Sequence, residues 1–93
     1  MFFLFLLLLL MSSHAIDVVI PLTSSNFDSF IKSNKYVLVE FYAPWCGFCK
    51  NFAPIYNDVA TILSSEVNVR VAKVDSTRES SLAEKYEIKG YPT

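Results

Sequence analysis

The chain has two cysteines, Cys46 and Cys49, and they stand two residues apart in the run Trp45-Cys46-Gly47-Phe48-Cys49-Lys50. Thiols at that separation meet across one helical turn and can close and reopen a disulfide. The run follows an apolar stretch, Tyr36 to Tyr42, and opens a helix-like pattern. A C-x-x-C set where a strand passes into a helix reads as a redox pair. The free N–H groups and positive dipole end of the helix stabilise a thiolate, which is the reactive form of cysteine. Cys46, at the helix start, is expected to be the exposed nucleophile. Its attack on a disulfide leaves a mixed disulfide that Cys49 resolves. Two other uses of the pair compete with this one. As a structural staple, closing a loop of about 4 residues stabilises by roughly 2 kcal/mol, less than a longer loop would. As a zinc site, the pair lacks two of the four ligands of a tetrahedral centre, because the single histidine, His14, lies in the amino-terminal apolar segment.

Six elements are predicted to position the pair. Ile16 to Leu22 is rich in β-branched residues and reads as a strand, with Pro21 near its end. Thr23, Ser24 and Ser25 are cap residues, and Asp28 three after Ser25 suggests a capping box. Phe27, Phe30 and Ile31 fall at helical spacing in a short helix ending near Ser33-Asn34. Tyr36 to Tyr42 is a near-continuous apolar run, which fits a strand buried on both faces of a parallel sheet. From Phe48, the residues Phe52, Ile55, Tyr56, Val59, Ile62 and Leu63 recur at 3–4 spacing and predict a long amphipathic helix, kinked at Pro54. Val67 to Val74 alternates as a third strand closing at Asp75-Ser76. Arg78 to Glu87 is a third helix with Leu82, Ala83 and Tyr86 inward, and Ile88 to Thr93 is a turn. Strict alternation of strand and helix predicts an α/β layered fold with parallel pairing.

The ends and the composition bound the rest. Phe2 to Met11 is wholly apolar, too short to span a bilayer, which takes about 20 residues. Ser13-His14-Ala15 then puts small residues at the two positions a signal peptidase inspects. Residues 1–15 are therefore read as a secretory signal peptide cleaved after Ala15, against the alternative of a retained membrane anchor. No Lys or Arg precedes the apolar core, so the terminal amine is its only positive charge. A secreted or lumenal location implies an oxidising compartment in which disulfides persist. What remains, residues 16–93, suffices for one small domain. A net charge of -1 gives no hint of nucleic acid or an anionic membrane as partner. Beyond the leader there is no membrane-spanning candidate.

Val39-Glu40-Phe41-Tyr42-Ala43-Pro44-Trp45-Cys46-Gly47-Phe48-Cys49-Lys50 resembles the active-site segment of a protein disulfide isomerase catalytic domain, a branch of the thioredoxin superfamily. Phe52-Ala53-Pro54, Ala72-Lys73-Val74-Asp75 and Gly90-Tyr91-Pro92-Thr93 agree with that family in the same order. The resemblance covers nearly all of residues 17–93. It implies a thioredoxin-like layered fold with a mixed central sheet, in which the Val37–Tyr42 strand is central and two further strands and a final helix lie beyond Thr93. Residues 16–93 thus read as a partial domain. There is one departure within the motif: the position before the second cysteine, His in the usual isomerase, is Phe48 here.

The resemblance also implies roles. Glu40, which interrupts an otherwise apolar strand, is the buried acid that relays protons to Cys49, and Lys73 on the neighbouring strand is its charge partner. An isolated buried carboxylate is costly, and burial raises its pKa toward the range of a useful proton carrier. The plainer reading of Glu40 is an edge-strand carboxylate in water. Pro92 matches the cis-proline that faces the disulfide and helps bind substrate backbone. Trp45 and Phe48 flank the thiols as exposed apolar contacts for unfolded substrate, or else pack ordinarily. The expected activity is thiol–disulfide exchange in client proteins of the endoplasmic reticulum lumen or the secreted space. It needs no cofactor and no metal, and requires a redox-recycling partner. The rival from another class is a non-catalytic client-binding fragment.

Overall fold

The computed structural model describes residues 18–93. The leader, its cleavage point and the first two residues of the expected first strand lie outside the described residues. Six elements follow in the expected order: β1 (Ile20–Leu22), α1 (Phe27–Ser33), β2 (Tyr36–Tyr42), α2 (Gly47–Leu63), β3 (Val69–Asp75) and α3 (Ser80–Lys85). Among these residues no helix is long and apolar enough to cross a membrane.

The strands form a sheet in the order β1-β3-β2, and both pairings are parallel. β3 is the middle strand because its side chains feed both faces. Val71 joins Val19, Tyr56 and Ala60 under α2, while Ala72 and Val74 join Leu22, Phe27, Phe41 and Leu82 under α1 and α3. Two hydrophobic layers therefore sandwich a strand whose inward residues are fully apolar, as parallel sheets require. Pro21, which cannot donate a ladder hydrogen bond, sits on the edge strand β1 opposite Lys73.

Four expectations are corrected. The capping box does not form. The Asn26 Oδ1 accepts from the Thr23 N–H (2.7 Å), a turn closes between Thr23 and Asn26, and α1 starts at Phe27. β2 is not covered along its whole length: Tyr36 and Leu38, on the face opposite Val37, Val39 and Phe41, are exposed. On α2, Ile55 and Ile62 face outward, since the apolar stripe is wider than the three strands beneath it. The last helix is shorter than Arg78 to Glu87: it spans Ser80–Lys85, and Tyr86 at its C-cap keeps its ring inward, against Phe27 and Phe41 at centroid distances of 5.5 and 5.8 Å.

The sheet also gains a first antiparallel contact. The Phe41 N–H donates to the Thr93 carbonyl (2.7 Å) and the Thr93 N–H to the Phe41 carbonyl (3.0 Å). A pair that exchanges both bonds is the signature of antiparallel pairing. With it the sheet becomes mixed on the far side of β2, and β2 lies between β3 and this contact, as the resemblance implied.

Candidate active site

The site is built where β2 ends. Parallel strands deliver their carboxyl ends to one side, and the short link Ala43–Cys46 turns the chain straight into α2. Ala43 is wholly buried and its carbonyl accepts from the Cys46 N–H (3.1 Å), which fixes the turn. Cys46 is the N-cap of α2, with extended backbone angles (φ -77, ψ 120), and its Sγ accepts from the Cys49 N–H at 3.2 Å. The Cys46 sulfur therefore does what a serine or aspartate oxygen does at other helix starts. The Cys46 thiol is pushed down from its ordinary 9.0, chiefly by hydrogen bonding from the Cys49 side chain and further by the backbones of Cys49 and Phe48, against burial. Burial pushes the Cys49 thiol up, and the bond to Cys46 adds to the rise.

Exposure does not separate the two sulfurs. Cys46 is 8% and Cys49 5% exposed, so the expected openness of Cys46 is corrected to a recessed thiol. Its cover is the 90–93 segment: the Cys46 Sγ donates to the Tyr91 carbonyl at 3.7 Å. The Tyr91–Pro92 bond is cis, and Pro92 lies beside the thiols' helix in the cleft that also holds Glu40. Trp45 (70% exposed) and Phe48 (78% exposed) flank the pair as open apolar surface. The Trp45 ring meets Tyr91 edge-on at 6.1 Å and 84°.

Glu40 is 7% exposed, and its Oε2 has no hydrogen-bond partner. Burial raises its carboxyl above the usual 4.5, partly offset by the positive charge of Lys73. Glu40 and Lys73 are register partners in the β2–β3 ladder. They do not form an ion pair, however: the one salt bridge among the described residues joins Lys85 to Asp28. The Lys73 ammonium instead stands 5.9 Å from the centroid of the Tyr42 ring, where its flexible stem keeps the charge near water. Lys73 thus acts on Glu40 through space and not through contact. No group of three or more His, Cys, Asp or Glu side chains among the described residues is arranged to hold a metal.

Two participants were not foreseen. Tyr91 supplies the carbonyl over Cys46 and the edge of the apolar rim; only the fold brings residue 91 back to residue 46. Tyr56 stands seven residues after Cys49 on the same helical face and reaches the β2–β3 seam. Its spacing is legible in the sequence; that its polar tip reaches two strand carbonyls is not, because only the fold brings them together.

The two thiols thus stand at a strand-to-helix turn of an α/β sheet, under the Tyr91 carbonyl and within the field of the buried Glu40 carboxyl. A family model described as Thioredoxin matches residues 18–93, and the chain belongs to that family. It is 46% identical over 94 residues to Protein disulfide-isomerase 1 of Caenorhabditis elegans, covering 96% of this chain and 19% of that protein. It is 53% identical over 78 residues to the Protein disulfide-isomerase of Oryctolagus cuniculus, covering 83% of this chain and 15% of that one. Among solved structures, the first thioredoxin domain of mouse Protein disulfide-isomerase A4 superposes with a TM-score of 0.78 at 46% identity, over 86% of this chain and 58% of that domain. The chain spans less than a fifth of the length of these two curated relatives.

Proposed function

We propose that this chain is a thiol–disulfide oxidoreductase that exchanges disulfides in client proteins of the secretory pathway. The observation that carries this is the Cys46 sulfur at the N-cap of α2, 3.2 Å from the Cys49 N–H, with its proton affinity lowered while that of Cys49 is raised. The Cys46 thiolate attacks one sulfur of a client disulfide, forms the mixed disulfide and expels the other client sulfur as a thiolate. Cys49 then loses its proton and attacks Cys46. The Cys46–Cys49 disulfide forms, the second client thiol leaves, and two electrons have passed to the client. Reversal of these steps oxidises a client, and a recycling partner resets the pair. Glu40 takes the proton from Cys49: burial makes it a better base than a solvated carboxylate. Trp45 and Phe48 give an unfolded segment its apolar footing, and Pro92 lies beside the client backbone. Residues 1–15 act as the leader that delivers the chain to the endoplasmic reticulum lumen or beyond, so the secreted form should begin at Ile16 by mass spectrometry.

The test is insulin reduction by residues 16–93. Cys46→Ser should abolish turnover, and Cys49→Ser should accumulate mixed disulfides with clients on non-reducing gels. Full activity in Cys46→Ser would overturn the assignment. Suppressed insulin aggregation without electron transfer would instead favour the client-binding reading, for which the exposed Tyr36, Leu38, Trp45 and Phe48 supply the surface.

A further inference from the structure

Under Glu40 lies a tyrosine that the exchange reaction does not use. Tyr56 is buried on α2, on the face that carries Cys49 and Phe52, and its ring packs against Phe52 at 5.6 Å. Its hydroxyl proton is shared between two main-chain oxygens on different strands, Ala72 of β3 at 2.6 Å and Leu38 of β2 at 3.1 Å. Leu38 is two residues before Glu40, and Ala72 is one before Lys73, Glu40's register partner. The phenol therefore pins the helix that bears Cys49 onto the two strands that bear Glu40 and Lys73, at their seam. Glu40 and Tyr56 line one cleft of about 270 Å³, together with Phe52 and Pro92.

We propose that Tyr56 is the positioning residue for Glu40, its hydroxyl plugging the β2–β3 seam so that the carboxyl stays dry and at a fixed height beneath Cys49. This rests on the reading of Glu40 as the proton acceptor. A buried water needs about 2–4 polar partners. The Leu38 carbonyl, the Ala72 carbonyl and the unpartnered Glu40 Oε2 would supply three if the phenol oxygen were gone. The hydroxyl now occupies the first two, so a water at the seam would find only the Glu40 Oε2. The phenol is suited to a permanent plug. Burial, then the negative charge of Glu40, pushes its pKa up to about 12, against backbone hydrogen bonding at Glu40 and Ala72, so it stays protonated. The charged and titratable groups that act on or with Glu40 are Lys73 from β3, Cys46, Cys49 and Tyr56 from the start and body of α2, and Tyr42 from its own strand.

The experiment compares the chain with its Tyr56→Phe form. The Glu40 carboxyl carbon is followed by ¹³C NMR in a dilute sample, and release of a mixed disulfide preformed at Cys46 is followed against pH. The expected result is a Glu40 titration moved down toward the ordinary glutamate range. The acid limb of the release step should move to lower pH with it, because a weaker base stays ionised further into acid. A merely structural loss would lower the rate at every pH and leave the limb in place. An unmoved Glu40 titration in Tyr56→Phe overturns the proposal. Should Tyr56→Phe fail to fold, the unmutated chain decides. Its Tyr56 ring carbon should follow Glu40's titration, and the response should vanish in Glu40→Gln; a ring carbon blind to Glu40 overturns the proposal. Failure of the parent reading looks different: Glu40→Gln would then release the mixed disulfide at an unchanged rate, while the titration still reports on Tyr56.

Discussion

At the scale of single residues, the departure at Phe48 and the buried Glu40 make the sharpest predictions. A protonated histidine at position 48 would favour the Cys46 thiolate, stabilise the dithiol form and make the disulfide more oxidising. Phe48 supplies no charge and is largely exposed. The difference should be on the order of 1 kcal/mol, or about 20 mV for a two-electron couple. Redox titration against glutathione should place the Phe48→His form above the parent; equal potentials would remove Phe48 from the argument. Glu40 predicts a pH effect on stability. Its folded pKa is raised, so between 4.5 and that higher value the folded chain binds more protons than the unfolded one. Stability contributed by the protonated carboxyl is present at acid pH and lost as pH rises through that window. Urea unfolding at stepped pH should show this decline, and Glu40→Gln should flatten it. The cysteines were legible in sequence because a two-residue spacing is a local rule. Tyr56 and Tyr91 were not, because their partners depend on how α2 and the 90–93 segment close over the strands.

At the scale of elements, the order and type of all six and the parallel pairing of the three strands were legible from periodicity, and the ends were not. Thr23–Asn26 spends its hydrogen bonds on a turn instead of a cap, a choice that depends on where β1 stops. The outward position of Ile62 depends on the width of the sheet beneath α2, which periodicity alone does not carry. This separates two apolar substitutions that composition would treat alike. Val74 is wholly buried between β3's neighbours, so Val74→Ala should cost about 2 kcal/mol from lost burial and the cavity left behind. Ile62→Lys, on the exposed face, should change stability by less than about 0.5 kcal/mol. Chemical denaturation of the two variants checks both, and similar losses would mean α2 is rotated from the position described.

At the scale of the whole molecule, the decisive feature is the far side of β2. Phe41 bonds outward to Thr93, and by the alternation of a strand Val37 and Val39 direct their N–H and C=O groups the same way. Among the described residues that stretch pairs with no other strand, and Tyr36 and Leu38 beside it are exposed. An open, flat, apolar edge recruits other chains. Residues 16–93 should therefore associate as concentration rises, and Leu38→Lys should suppress the association by placing a charge beside the edge. Sedimentation velocity over a concentration series reads it. A single monomeric species throughout would show that the edge is protected by its twist and by the Thr93 contact alone.

One atom, the Cys46 sulfur, serves both the chemistry and the architecture, because it also closes the first turn of α2. A thiolate is a strong acceptor for the Cys49 N–H, whereas a sulfur carrying a client or an alkyl group is a weak one. In the proposed exchange each turnover thus loosens and retightens the end of a helix. The Cys49 amide becomes a gauge of the reaction coordinate. Its hydrogen exchange should be slow in the reduced chain, quicken when Cys46 alone is alkylated, and stay unchanged deeper in the helix at Ala60. Progress through the proposed exchange cycle would then be readable from the backbone, with no label on either sulfur.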